Sequence, residues 1–439
     1  MIQTEAVAAS LTGYLGTLAT SALLTLAAAA VFNLAVDPKG LYLLVRLDGF
    51  NSYKVFQPLY TREYKALAVR RYHPDTLVFG ASPVTFGIVP QCPSSTLPGV
   101  SRIYNYGGVG DHAETFLTDI DDLTAIGSIR RIVVEARFVN HQFFMNSQRA
   151  QTATWAAVPT TPHSADGLLQ KQLRPWMPSR YAATYVENLF SWRELFLSVR
   201  TVSQNRLSDK SFLFREFGID GSYDQQWLQR WRARVISETN MLSHVSNYSG
   251  VFLTRVSNDM EIDFSYIGQL AAASRRNGIA LDIFILPEHV SELLLYSEGG
   301  IWPLYQKFKL NLLDAVETAR KRESANIRLF DFGNINEVTT QPIRSSYTDA
   351  VYDPYFEDPV HFRRIVGDFL LATMLECGIA ARVPTDFGLQ LNRDNMLQHL
   401  RIENAKLEEF RLAHPDMVRK ISEAIGNRRK ELLGTDLSR

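Results

Sequence analysis

Cysteine is scarce in this chain: 439 residues contain only Cys92 and Cys377, and no C-x-x-C pair exists. A dense disulfide framework and a cysteine-based zinc site are therefore excluded. Two thiols so far apart in sequence read as free and buried, with pairing in an oxidising compartment as the alternative. Net charge is missing too, since 46 Lys and Arg balance 46 Asp and Glu. A chain without a net field has little to draw it to a polyanion, and no nucleic-acid partner is expected. Low-complexity tracts, internal repeats and long heptad runs are also absent, which argues against repeat and coiled-coil architectures.

What is present is apolar. At 46% hydrophobic residues the chain can bury a large core as one elaborated domain or two. Leu11 to Val36 holds no charged side chain over 26 residues, enough to cross a hydrocarbon core of about 30 Å at about 1.5 Å per residue. No Lys or Arg precedes it and Glu5 does, unlike the basic start of a secretory signal, so an uncleaved single-pass anchor is expected. Lys39, Arg46, Lys54 and Arg62 follow the run. Counted by the positive-inside rule, they put the remainder in the cytoplasm.

Beyond the anchor the pattern alternates. Helices are expected near Tyr60 to Arg71, Glu114 to Ile126, Ile262 to Asn277 and Leu304 to Arg322, and strands at Leu77 to Phe79, Arg131 to Glu135, Ile279 to Leu286 and Ile327 to Phe332. That alternation predicts an α/β fold with a mainly parallel sheet covered by helices, in three layers. Residues 148–256 break it. They hold Trp155, Trp176, Trp192, Trp227 and Trp231 with helical periodicity, read as a helical insertion over the sheet whose aromatics form either a sugar-stacking groove or ordinary core. The expected segments are an anchor at 1–36, a first α/β part at 37–147, the insertion at 148–256, a second α/β part at 257–380 and a charged helical tail at 381–439. The tail reads as solvated or partner-binding.

One stretch carries chemistry. Leu77 to Phe79 ends at Gly80-Ala81-Ser82, placing a serine beyond a buried strand's carboxyl end, where open α/β sheets hold ligands. Such a serine needs a base and an orienting group to act as a nucleophile. Asp358-Pro359-Val360-His361 supplies both ahead of an apolar helical run. His289, after the strand Ile279 to Leu286, is a further candidate at the same sheet edge, for substrate binding. Asp111, His112 and His141 lack a convergent ligand spacing, and no metal or cofactor is expected. The glycines from Asn105 to Gly110 lack the order of a phosphate loop.

Gly80-Ala81-Ser82, Tyr104-Asn105-Tyr106-Gly107-Gly108-Val109-Gly110-Asp111 and Asp358-x-x-His361 together resemble the first, second and closing blocks of the SGNH (GDSL-type) hydrolases. Ala81 stands where the family has Asp. The third block is degenerate, and Ala136-Arg137-Phe138-Val139-Asn140 keeps only a displaced Asn. The resemblance spans roughly Asp37 to Cys377 and is closer to membrane-anchored SGNH-like proteins of bacterial exopolysaccharide loci, related to O-acetylation machinery, than to soluble esterases. It implies Ser82 as nucleophile, His361 as base, Asp358 as its partner, and Ser82, Gly110 and Asn140 as oxyanion-hole residues. It further implies an acyltransferase or esterase acting on O-acyl, chiefly acetyl, groups of a polysaccharide, with an acyl donor or acyl-donating membrane protein as partner. The main domain would then be periplasmic on the bacterial inner membrane, against the charge count. A catalytically silent glycan-binding or assembly subunit is the alternative, suggested by Ala81 and the missing third block.

Overall fold

The structure is a computed structural model that describes residues 2–111, 113–141, 143–145, 182–210, 213–225, 227–228, 255–341, 355–378 and 382–436. Its centre is a six-stranded sheet ordered β2-β1-β3-β6-β7-β8. The strands are β1 (Thr76–Phe79), β2 (Ile103–Asn105), β3 (Arg131–Ala136), β6 (Ala280–Ile285), β7 (Ile327–Asp331) and β8 (Leu389–Gln390). All neighbours run parallel except β7 and β8. A separate antiparallel pair joins β4 (Phe143–Met145) to β5 (Met260–Ile262). The near-continuous apolar runs in β1, β3 and β6 fit a parallel sheet, because both of its faces are covered.

Strand alternation sends Val78, Val133, Phe284 and Phe330 to one face, where they meet Val84 of α3 (Ser82–Gly87) and Val366, Phe369, Leu370 and Met374 of α10 (Arg364–Leu375). The intervening residues face the other way, so that Phe79 lies 4.5 Å between ring centroids from Phe116 of α4 (Ala113–Thr124). On that side α7 (Ser265–Arg276) packs on β6 and α9 (Trp302–Glu323) on β7. Each large side chain so buried contributes about 1.5–3 kcal/mol. The fold is thus α/β with a mostly parallel, helix-flanked sheet, and it carries one N-terminal apolar helix, α1 (Ile2–Val36).

Two compact units are present, Met1–Ala68 with Leu169–Phe217, and Val69–Leu168 with Gly218–Arg439. In the first, α5 (Ala182–Phe190) and α6 (Trp192–Asn205) pack against α1. The helix α2 spans Thr61–Tyr72. Trp155, Trp176 and Trp231 lie outside the described residues, whereas Trp192 is exposed and Trp227 packs on Tyr223.

Two more readings are revised in the second unit. The tail forms α11 (Met396–Ala413) and α12 (Pro415–Asp436), docked on the domain rather than solvated. Met396, His399, Leu400, Glu403 and Leu407 make the buried stripe of α11. Lys309 of α9 bridges Asp331 at 2.8 Å and Glu403 at 2.5 Å, and His399 meets Asp331 at 2.8 Å. Because His399 and Glu403 sit in that stripe, it does not read as apolar. The helix α12 lies on α8 (Val290–Glu298), where Ser422 donates to Glu298 at 2.6 Å. The cysteines, expected to be free, form a Cys92–Cys377 disulfide. The chain beyond α3 runs beside the end of α10, with Gly378 N donating to Ser94 O at 2.7 Å, and this brings the two thiols together.

Candidate active site

Ser82 opens α3 directly beyond β1, at the point where strand order reverses between β2 and β3, the crevice where open α/β sheets bind ligands. The tight turn before it requires Gly80, since a Cβ there would come within 2.2 Å of Val84 Cγ2 and 2.4 Å of Glu135 Oε2. Asn105, fully buried at the end of β2, fixes the other end of α3. Its amide donates to Val84 O at 2.9 Å and Ile88 O at 2.7 Å, and its Oδ1 accepts from Gly107 N at 2.9 Å. The loop after β2 is tied to the serine turn through Gly108 N, which donates to Gly80 O at 3.0 Å.

His361 arrives from a different part of the chain. A Cβ on Gly367 would lie 2.2 Å from Gly87 O, so this glycine lets α10 approach α3 closely and carries the preceding loop alongside Ser82. In that loop Asp358 Oδ1 accepts from the amides of Val360 at 2.9 Å and His361 at 2.8 Å, which fixes the carboxylate. Its Oδ2 lies 2.7 Å from His361 Nδ1, and His361 Nε2 lies 2.8 Å from Ser82 Oγ. A carboxylate only accepts, so Nδ1 carries the proton and Nε2 is free to accept the serine O–H. Asp358 and His361 each keep 20% of their side-chain surface exposed, which leaves the row open to a substrate. Phe86 lies 5.6 Å from the His361 ring and 4.9 Å from Tyr223, walling one side.

Beneath the serine turn lies a buried acidic cluster. Glu135 Oε2 accepts from Ala81 N at 2.7 Å. Burial pushes the Glu135 carboxyl up to about 7, against the opposing effects of Arg137 and the Ala81 amide. Arg137 pairs with Glu288 at 2.8 Å, and Tyr296 donates to Glu288 at 3.0 Å. Burial, reinforced by the Glu288 charge, raises Glu292 to about 8. Sequence reasoning took Glu135 only as the end of a strand. Its signal was a carboxylate closing the otherwise apolar run Ile132-Val133-Val134, one register step from the serine turn.

The remaining candidates have the following settings. Gly110 is exposed, with φ +79° in a turn closed by Asp111 N donating to Gly108 O, and a Cβ added there would meet nothing within 4 Å. Asn140 is half-buried in a short 3-10 turn beyond β3. His289 does not present its ring for substrate. It is buried, its Nδ1 meets Ser291 Oγ at 2.8 Å and its Nε2 meets Gln341 O at 2.7 Å. Burial lowers its pKa to about 4, and its backbone N donates to Pro359 O at 3.0 Å, which makes it a brace for the Asp358 loop. His141 is likewise buried, between Arg137 O and Tyr266 Oη, and His112 lies outside the described residues. Among the described residues no group of three or more His, Cys, Asp and Glu is placed to hold a metal ion.

Comparisons with protein-family models, with curated proteins and with solved structures returned no match for this chain.

Proposed function

We propose that the chain is a membrane-anchored serine acyltransferase or esterase of SGNH type, acting on O-acyl groups, acetyl foremost, of a bacterial polysaccharide. The observation that carries this reading is the Ser82–His361–Asp358 row, hydrogen-bonded at 2.8 and 2.7 Å. In the proposed reaction His361 Nε2 takes the Ser82 proton as Oγ attacks the acyl carbonyl, while Asp358 holds the imidazole in its tautomer and stabilises the imidazolium. The imidazolium then protonates the departing alkoxide, leaving acyl-Ser82. Water completes hydrolysis, or a sugar hydroxyl completes transfer. The Cys92–Cys377 disulfide suits an oxidising compartment and supports a periplasmic main domain over the positive-inside count.

The degenerate third block favours a second reading, a silent SGNH-like subunit, since loss of one side-chain donor from an oxyanion hole costs about 100- to 1000-fold in rate. A fluorophosphonate probe applied to the full chain in detergent separates the two. Covalent label on Ser82, together with turnover of p-nitrophenyl acetate, is the expected outcome. An unlabelled Ser82 in folded protein would leave the silent subunit as the better reading.

A further inference from the structure

The helices α5 and α6 are amphipathic the wrong way round for a water-facing surface. On α6 the buried positions are Glu194, Ser198, Thr201 and Asn205, while Trp192 is 75% exposed and Phe196 and Val199 are each more than half exposed. On α5, Tyr185 and Asn188 are buried, whereas Val186 and Phe190 are more than half exposed beside exposed Glu187. Both sets recur at helical spacing, so α6 has a polar inner face, α5 an inner face of Tyr185 and Asn188, and both carry large apolar side chains outside. The inner faces make hydrogen bonds and an ion pair with the end of α1 and the segment after it. Glu194 pairs with Lys39 at 2.7 Å, Asn188 Oδ1 accepts from Lys39 Nζ at 2.8 Å, Ser198 donates to Asn33 Oδ1 at 2.9 Å, and Asn33 Nδ2 donates to Leu189 O at 3.0 Å. Polar contacts inside and aromatic side chains outside suit a surface whose surroundings are themselves apolar.

The position on α1 indicates which surroundings. The apolar window Gly13–Val36 is 24 residues, about 36 Å at 1.5 Å per residue against a hydrocarbon core of about 30 Å. The hairpin grips α1 at Asn33, in its last turns, where such a span leaves the hydrocarbon. Leu44 and Leu47 are likewise exposed in the segment just after α1. With 9 and 14 residues, α5 and α6 are too short to cross, reaching about 14 and 21 Å. Arg193 and Arg200, exposed on α6, fit an anionic headgroup layer.

We propose that the α5–α6 hairpin is an interfacial membrane element, lying along the bilayer boundary with Val186, Phe190, Trp192, Phe196 and Val199 in the lipid. This rests on the reading of α1 as a membrane anchor. The test uses the full chain reconstituted into phosphatidylcholine–phosphatidylglycerol vesicles, with an environment-sensitive fluorophore on Phe196→Cys or, in a second variant, Val199→Cys. The native cysteines are paired and do not compete for the label. Phosphatidylcholine brominated in the upper acyl chain should quench about half of the emission from either position, as expected of a helix sunk about 5–10 Å into the boundary. A label on Leu23→Cys in α1 should be quenched most by lipids brominated near the chain end. Quenching at Leu23 without quenching at Phe196 and Val199 overturns the hairpin assignment and leaves the anchor standing; absence of quenching at Leu23 overturns the anchor itself. Blue-shifted but unquenched emission at Phe196 means protein, such as a second copy, covers this face, and also overturns the proposal.

Discussion

A serine hydroxyl is a weak nucleophile until a base takes its proton, so the proposed chemistry depends on two hydrogen bonds rather than on Ser82 alone. Ser82→Ala and His361→Ala should each abolish nearly all acyl-transfer or esterase turnover, with the double variant scarcely worse, because residues acting as one unit are not additive. Asp358→Asn should lose as much or less, since it disturbs the imidazole without removing it. Initial rates on purified variants with unchanged thermal melting check this; full activity in Ser82→Ala overturns the nucleophile assignment. Glu135 gives a prediction in pH. Its folded-state value of about 7 lies above the ordinary 4.5. The stability its protonated form contributes is thus complete below about pH 4.5 and lost as pH rises through 7, a difference of about 3 kcal/mol. Glu135→Gln does not titrate. Denaturant titrations at pH 5 and pH 8 should therefore show a smaller fall in stability for the variant than for the parent. An identical fall in both proteins would mean that Glu135 does not carry the dependence.

Between elements, the distance that matters for the site is set by the packing of α10 on α3, which brings a residue 279 positions away to Ser82. The contact is backbone on backbone, with Gly367 facing Gly87 O, so it has no flexible side chain to yield. Gly367→Ala should push the two helices apart, lowering stability by about 1–3 kcal/mol. Its effect on turnover should be larger than that implies, since a misplacement of about 1 Å in a reacting group costs about 100-fold. Parallel melting and rate measurements on this variant make the comparison; unchanged turnover would show that the close approach does not position His361. The same scale explains the tail. Burying Glu403 and Lys309 together is tolerable only because Asp331 and His399 complete the set, so α11 is held in one register by charges that would be costly to leave unpaired.

Across the whole chain, the Cys92–Cys377 bond closes a segment 285 residues long, and most of the α/β unit lies inside it. Such a cross-link stabilises chiefly by restricting the unfolded chain, by about 2–5 kcal/mol. Cys92→Ser should therefore lower the denaturation midpoint, reductant should do the same to the parent, and reductant should do nothing further to the variant. Chain made in cells should migrate differently with and without reductant on denaturing gels; a fully reduced cellular pool would weigh against the periplasmic placement, in line with Lys39, Arg46, Lys54 and Arg62 following the span.

Local patterns were legible because each depends on the hydropathy of neighbouring residues alone. The apolar run to Val36, the strand–helix alternation, the strand ending at Ser82 and the Asp358-x-x-His361 spacing belong to this kind, and element ends fell within a few residues, as with α2 at Thr61–Tyr72 and α9 at Trp302–Glu323. The helix expected from Ile262 instead begins at Ser265, after a short strand pairs with Phe143–Met145. The pairing of His361 with Ser82 was implied by the resemblance, but only the tertiary structure could decide that Cys92 meets Cys377, Glu135 the Ala81 amide and His289 Gln341. A polar side chain carries no mark of whether it will be buried, because that depends on a partner supplied by another part of the chain. For the same reason Trp192, expected in a sugar-stacking groove or in ordinary core, is exposed opposite the polar inner face of α6.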